Sequence, residues 1–204
     1  MPANNTRAEL QRLLQERNEH PENVAEIDRQ IHTNFDQDCA ILVLDLSGFS
    51  RLTIRHGITH FLAMVHRMTT IATPIVQRHE GRVVKQEADN LFAVFVDVSS
   101  AVATAIAILQ AFNAVNSGLP EDHDLHAGIG IGYGTTLVIG DEDLYGSEMN
   151  LASKLGEDLA RSGEILLTEA AFTKLDTAAI DGERLRFSVS GLDLLAYKVN
   201  YSER

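Results

Sequence analysis

Residues 83–96 read VVKQEADNLFAVFV. Two apolar runs, Val83-Val84 and Leu91–Val96, flank a polar joint where Lys85, Gln86, Glu87 and Asp89 crowd together. Asp-Asn between apolar runs is a hairpin signal, and the wholly apolar second arm predicts a buried strand. Folding needs only the turn. A lysine and an aspartate four residues apart at the tip are more than a hairpin requires, so this stretch bears on function as well as fold.

Upstream, CAILVLDL at 39–46 is a continuous apolar run suited to a central buried strand. A Ser47-Gly48 turn follows, then helical spacing to about Arg78 with Leu62, Val65, Met68 and Ile71 in register; Pro74 is expected to kink it or end a turn. Downstream, an alanine-rich helix from Ser99 to about Asn116 stops at Gly118-Leu119-Pro120. In LHAGIGIGYGTTLVIG at 125–140, Gly128, Gly130, Gly132 and Gly134 share one face of a strand, bare enough for another element to pack closely. The spacing is not that of a dinucleotide-binding turn. A helix from Ser147 to about Arg161, the strand EILLT, a short helix and an antiparallel pair over 185–199 complete the chain. Hairpins among interleaved strands and helices predict an α+β sandwich with a mixed or antiparallel sheet. Residues 1–37 read as an N-terminal arm of two helices broken at His20-Pro21, packing on the main domain (38–204) or on a second subunit.

The composition is that of a soluble globular chain: 204 residues, 45% apolar, 23% charged. A net charge of −12 excludes a broad nucleic-acid or anionic-membrane surface, so any phosphate site must be local. The single cysteine, Cys39, reads as a buried thiol in a reducing compartment. No targeting segment is visible, and the apolar runs AILVL and AVATAIAIL are shorter than a membrane span, so the chain is expected to be cytoplasmic, or the cytoplasmic part of a larger complex.

Asp45 ends an almost unbroken apolar strand, where a lone carboxylate costs several kcal/mol unless it is paired or bound to metal. Alone, Asp45 can accept hydrogen bonds from the following turn, and Asp89 can be an ordinary turn residue. On neighbouring strands, though, two such carboxylates repel unless cations lie between them, the pattern of two-metal phosphoryl-transfer sites. The SGFS turn after Asp45 sits at a helix N-terminus, which suits a triphosphate. His56 and His60 stand four apart on a helix without an evident third zinc ligand, and read as a surface face.

LDLSGFS at 44–50, KQEAD at 85–89 and DLYGSEMNLASKL at 143–155 together resemble the class III nucleotidyl cyclases over residues 38–199. The resemblance implies a ferredoxin-like, palm-type sandwich with the helical arm appended. It implies that Asp45 and Asp89, with the Leu46 carbonyl, hold two divalent cations, Mg²⁺ or Mn²⁺. The backbone of Ser47, Gly48, Phe49 and Ser50 would cradle the phosphates of ATP. Lys85 and Asp143 would read the purine edge in the adenine-selecting combination. Asn150 would position the ribose, and Lys154 would face the phosphates. The site would form between head-to-tail subunits of a homodimer, with Asp45 and Asp89 from one chain and Lys85, Asp143, Asn150 and Lys154 from the other. The expected reaction is ATP to cyclic AMP and diphosphate; no regulatory partner is indicated.

Three positions depart from the family pattern. Lys154 stands where an arginine is usual, Ala88 where a glycine precedes the second aspartate, and Ser190 near the place of a triphosphate-binding lysine. They keep open an alternative: a weak or inactive cyclase-homology domain that binds nucleotide as a regulatory module.

Overall fold

The run at 39–46 becomes an interior strand of the sheet, paired on both edges. The computed structural model describes residues 4–175, 181–189 and 192–201, without the side chains of residues 49–51, 189 and 192. Ser190 lies outside the described residues. Strand β1, Asp36–Leu46, is apolar throughout its middle because both its faces are covered. Ala40, Leu42, Leu44 and Leu46 join one core with α4 (Ile58–Arg78) and α5 (Val98–Asn116). Cys39, Ile41 and Val43 join a second core on the opposite face, with Ala152 of α6 (Ser147–Ser153). Each wholly buried leucine of this strand contributes about 1.5–3 kcal/mol of hydrophobic stabilisation.

The hairpin of β2, Arg82–Glu87, and β3, Asn90–Phe95, pairs with one edge of β1. Strand β4, Ala127–Ile139, pairs with the other edge and folds back through the short β5, Asp143–Tyr145. The sheet runs β2-β3-β1-β4-β6-β8-β7, where β6 is Ile165–Thr168, β7 Gly182–Val189 and β8 Leu192–Val199. Among the described strands only β4 and β6 pair in parallel; the other pairs are antiparallel, giving the mixed α+β sandwich. A short α7, Glu169–Lys174, follows β6.

The glycine face of β4 is used for close internal packing against α6. A Cβ on Gly132 would come within 2.6 Å of the Glu148 carbonyl oxygen, and one on Gly130 would overlap the Ala152 carbonyl. This approach also reshapes the helix expected over residues 147–161. The α-helix ends at Ser153, and Lys154–Leu159 form a wider π-helical turn, closed by the Ala160 amide on the Leu155 carbonyl at 2.7 Å. Gly156 thereby settles so close to β1 that a Cβ there would stand 2.8 Å from the Val43 carbonyl oxygen.

Two more expectations need correcting. The helical region after Ser47-Gly48 is broken at Gly57, whose φ of 84° suits glycine, into α3 (Phe49–His56) and α4. Pro74 does not end a turn; α4 continues through it to Arg78. By length and composition α5 is able to cross a membrane, but its Val102, Ala105, Ile108 and Phe112 are buried in the core.

The N-terminal arm comprises α1, Arg7–Glu19, and α2, Val24–Phe35, with a turn of 3₁₀-helix at Pro21–Asn23. Thr6 caps α1 through the Glu9 amide. Leu13, Ile27, Ile31 and Phe35 bury themselves with Ile139 at the end of β4. Asn5, only 7% exposed, donates to the Val138 carbonyl at 2.8 Å and accepts from the Gly140 amide at 2.6 Å. The arm is therefore fixed beside the β4–β5 turn.

Candidate active site

The hairpin tip is a two-residue turn, Ala88-Asp89, between the paired Glu87 and Asn90. Ala88 has φ of 51°, the left-handed region that a residue with a Cβ enters at a cost of about 1–2 kcal/mol. The β1–β3 register sets Asn90 directly opposite Asp45, so Asp89 stands one residue beyond the end of that pair. Burial pushes the Asp45 carboxyl up to about 7, and the nearby charges of Asp89, Glu157 and Asp158 add to the effect. Burial also raises Asp89. Glu157, likewise raised by burial, belongs to the π-helical turn and feels Asp158, Glu87 and Asp89. All the charges that act on Asp45 are thus acidic. The buried Asn90 Oδ1 beside it has no hydrogen-bond partner.

These donors suit a hard divalent cation: oxygen ligands, unbalanced negative charge and an orphaned acceptor. Asp45 and Asp89 would hold it, together with the carbonyl of the adjacent Leu46. Among the described residues no three His, Cys, Asp or Glu side chains converge in metal-holding geometry. The remaining ligands would be backbone, water or substrate oxygens, as is usual for Mg²⁺. His56 ends α3 and His60 belongs to α4, so they do not share one surface helix face; both are half-buried, their tilted rings 4.9 Å apart between centroids, and His60 Nε2 lies 2.7 Å from the Asp122 carbonyl oxygen.

After Leu46 the chain turns through Ser47-Gly48 into α3. Gly48, with φ of 82°, leads into the helix without a side-chain cap, so the first amides of α3, at Phe49 and Ser50, have no capping side chain to accept from them. The Ser47 amide is already engaged, donating to the His126 carbonyl at 2.7 Å.

A second cluster forms where β2 meets the β4–β5 hairpin. Lys85 Nζ lies 3.0 Å from Asp143 Oδ1, with both side chains mostly buried. The ammonium also pairs with Glu87 at 3.1 Å and sits 4.7 Å over the Phe92 ring. Burial alone would lower its pKa, but the bonds to Asp143 and Glu87 leave it raised. For Asp143 burial pushes upward, while hydrogen bonds from Tyr145, Lys85 and the Leu144 amide outweigh it and leave the carboxylate lowered. The Tyr145 hydroxyl donates to Asp143 Oδ2 at 2.7 Å, and Arg7 Nη2 reaches the same oxygen at 3.3 Å.

The fold therefore brings Asp45 next to Asp89 and Lys85 next to Asp143, as two separate clusters. Asn150 is exposed on α6, and Lys154 opens the π-helical turn in an ion pair with Asp158. Lys198 is tied to Glu164 at 2.9 Å. Sequence reading missed Asn90, Tyr145, Arg7, Glu157 and Asp158. Asn90 and Tyr145 sit inside motifs already singled out and were within reach; Arg7 is 136 residues from Asp143 and left no local signal.

The model of the adenylate and guanylate cyclase catalytic domain matches residues 31–200. A Rhizobium meliloti (strain 1021) protein provisionally named adenylate cyclase 3 is 36% identical over 131 residues, covering 64% of this chain and 22% of that protein. The chain spans only about a sixth to a third of the curated relatives it matches. Among solved structures, the adenylyl cyclase CyaB of P. aeruginosa superposes with a TM-score of 0.69 at 22% identity, over 82% of this chain and 96% of that one. The guanylate cyclase domain of RhGC from Catenaria anguillulae, solved with GTP, gives 0.69 at 17% identity over 81% and 97%. These two likenesses speak for the fold alone. With the family model covering nearly all of the sheet and both charged clusters, the chain belongs to the class III adenylate and guanylate cyclase catalytic domains.

Proposed function

We propose that this domain is a metal-dependent adenylate cyclase that works as a head-to-tail homodimer. The observation that carries the choice of base is the Lys85–Asp143 pair, 3.0 Å apart and largely shielded from water. A lysine donates to a ring nitrogen and a carboxylate accepts from an exocyclic amine, the complement of adenine's edge. The Rhizobium relative's name supports the same reading.

In this reading Asp45 and Asp89 hold two divalent cations, Mg²⁺ or Mn²⁺. Cations bound there would polarise the phosphate oxygens and acidify the ribose 3′-hydroxyl, whose proton passes to solvent. The amides beyond Gly48 receive the phosphate oxygens. Asn150 of the second subunit fixes the ribose, so that its 3′-oxygen faces the α-phosphorus in line with the leaving diphosphate. The new bond joins the 3′-oxygen to the α-phosphorus, the bond to the β-phosphate oxygen breaks, and diphosphate leaves. Lys154 supplies positive charge to the phosphates, as a point charge rather than a planar fork.

The test is a mass-spectrometric product assay with ATP, GTP, CTP and UTP under Mg²⁺ and Mn²⁺, beside Asp45→Ala. Cyclic AMP from the unmutated chain alone is expected. Another nucleotide turned over faster than ATP would remove the adenine assignment. A second reading, a nucleotide-binding module with little turnover, is favoured by the Lys154–Asp158 ion pair, which draws that lysine to its own helix. Tight ATP binding without cyclic product would establish it instead.

A further inference from the structure

Asp143 is saturated before a nucleotide arrives. A carboxylate offers about four lone-pair positions, two on each oxygen. Oδ1 accepts from the Leu144 amide at 2.9 Å and from Lys85 at 3.0 Å. Oδ2 accepts from the Tyr145 hydroxyl at 2.7 Å and from Arg7 at 3.3 Å. Arg7 makes the longest of these bonds, and it alone comes from outside the sheet. It is not a stray surface contact. The buried Asn5 fixes the backbone two residues earlier, Thr6 caps the helix that Arg7 begins, and Leu13 is wholly buried one and a half turns on. Arg7 also bonds Glu142 through Nε at 2.8 Å, a partner it keeps if it releases Asp143.

We propose that Arg7 is an affinity- and specificity-determining residue: it occupies the lone pair on Asp143 Oδ2 that a purine's exocyclic amine needs, so the N-terminal arm meters entry of adenine to the base subsite. The proposal rests on Asp143 reading the base. One lone pair cannot serve two donors, so an amino-purine nucleotide competes with Arg7, whereas a purine nucleotide lacking the amine has nothing to gain from its removal. The arm thereby acts on recognition without touching the carboxylates at Asp45 and Asp89.

Calorimetric titration of the full chain with two non-reacting ligands, 3′-deoxy-ATP and the 3′-deoxy triphosphate of unsubstituted purine riboside, separates the cases. Arg7→Ala should tighten 3′-deoxy-ATP by about fivefold, the worth of one competing hydrogen bond, and leave the amine-free ligand unchanged. Arg7→Met retains the aliphatic stem and should act alike, which separates loss of the hydrogen bond from any loosening of α1 in the alanine variant. Equal shifts for both ligands, or none for 3′-deoxy-ATP, would overturn the role of Arg7. In parallel, Asp143→Ala should abolish the preference for the amino-purine. If it does not, or if neither ligand binds, the base reading itself falls, and the proposal with it.

Discussion

Asp45 and Asp143 are two aspartates of one sheet kept under opposite electrostatic conditions. Around Asp143 burial pushes upward, but the Tyr145 hydroxyl, Lys85 and the Leu144 amide outweigh it and hold the carboxylate below its usual range, and Arg7 bonds it as well. Around Asp45 burial, with the charges of Asp89, Glu157 and Asp158 adding to it, raises the carboxyl to about 7. The first cluster is neutralised from within and, in the reading proposed above, exchanges partners to accept a ligand. The second is left unbalanced and stabilises the fold fully only when a cation or a proton arrives. A site that recognises a neutral base and a site that binds cations need these opposite preparations.

The contrast breaks most visibly at Asp45. Asp45→Asn should lower cyclase activity by about a thousandfold, the scale of losing a positioned electrostatic group. The same change should stabilise the metal-free chain at pH 8. The folded pKa of about 7 lies above the ordinary value of 3.8, so the folded state holds a proton that the unfolded chain has released. Stability of the unmutated chain therefore falls as pH rises from about 4 to about 7 and stays reduced above that. Thermal melts in chelator should show the asparagine variant ahead at pH 8 by about 2–4 °C per kcal/mol relieved, and level with the parent near pH 4. An added divalent cation should raise the midpoint of the parent only.

On the other side, Lys85→Ala should reduce the ATP-over-GTP ratio of kcat/KM by about tenfold, since one donor to the purine ring is lost. The rate with GTP should change little, and steady-state kinetics with both substrates would measure it. Lys154→Arg should raise kcat by about tenfold by restoring a planar fork toward the phosphates, with KM nearly unchanged. Smallest is Ala88→Gly, at the residue whose φ is 51°. Relief of the left-handed strain, offset by glycine's added freedom when unfolded, should give about 0.5–1 kcal/mol, read as a small rise in Tm.

Much of this contrast was visible in the chain itself. The apolar run at 39–46 announced a buried interior strand because both its faces are covered, and Asp89-Asn90 announced a hairpin, although its two turn residues are Ala88 and Asp89 and Asn90 already opens β3. The glycines of β4 marked a close approach, though which helix makes it needed the fold. What periodicity could not show was local winding. The π-helical turn at Lys154–Leu159 keeps the same residue types as an α-helix, and only the fold shows its Gly156 lying close against β1. Gly57 likewise breaks a helical pattern whose apolar positions continue on either side. Sequence motifs supplied both charged clusters, but not their partners. Arg7 and Asn5 reach the β4–β5 turn from the far end of the chain, and only topology brings them there.

One measurement addresses the division of labour between the two clusters directly. Asp45→Ala and Asp143→Ala chains would each be purified, assayed alone, then unfolded, mixed in equal amounts and refolded together. In a head-to-tail dimer the mixed pair contains one site with Asp45 from one chain and Asp143 from the other, both intact. Half of the dimers are then mixed, with one working site in two, so cyclase activity should return to about a quarter of the parent's. Failure of the mixture to exceed its two components, with mixed dimers shown to be present, would contradict a site shared between chains.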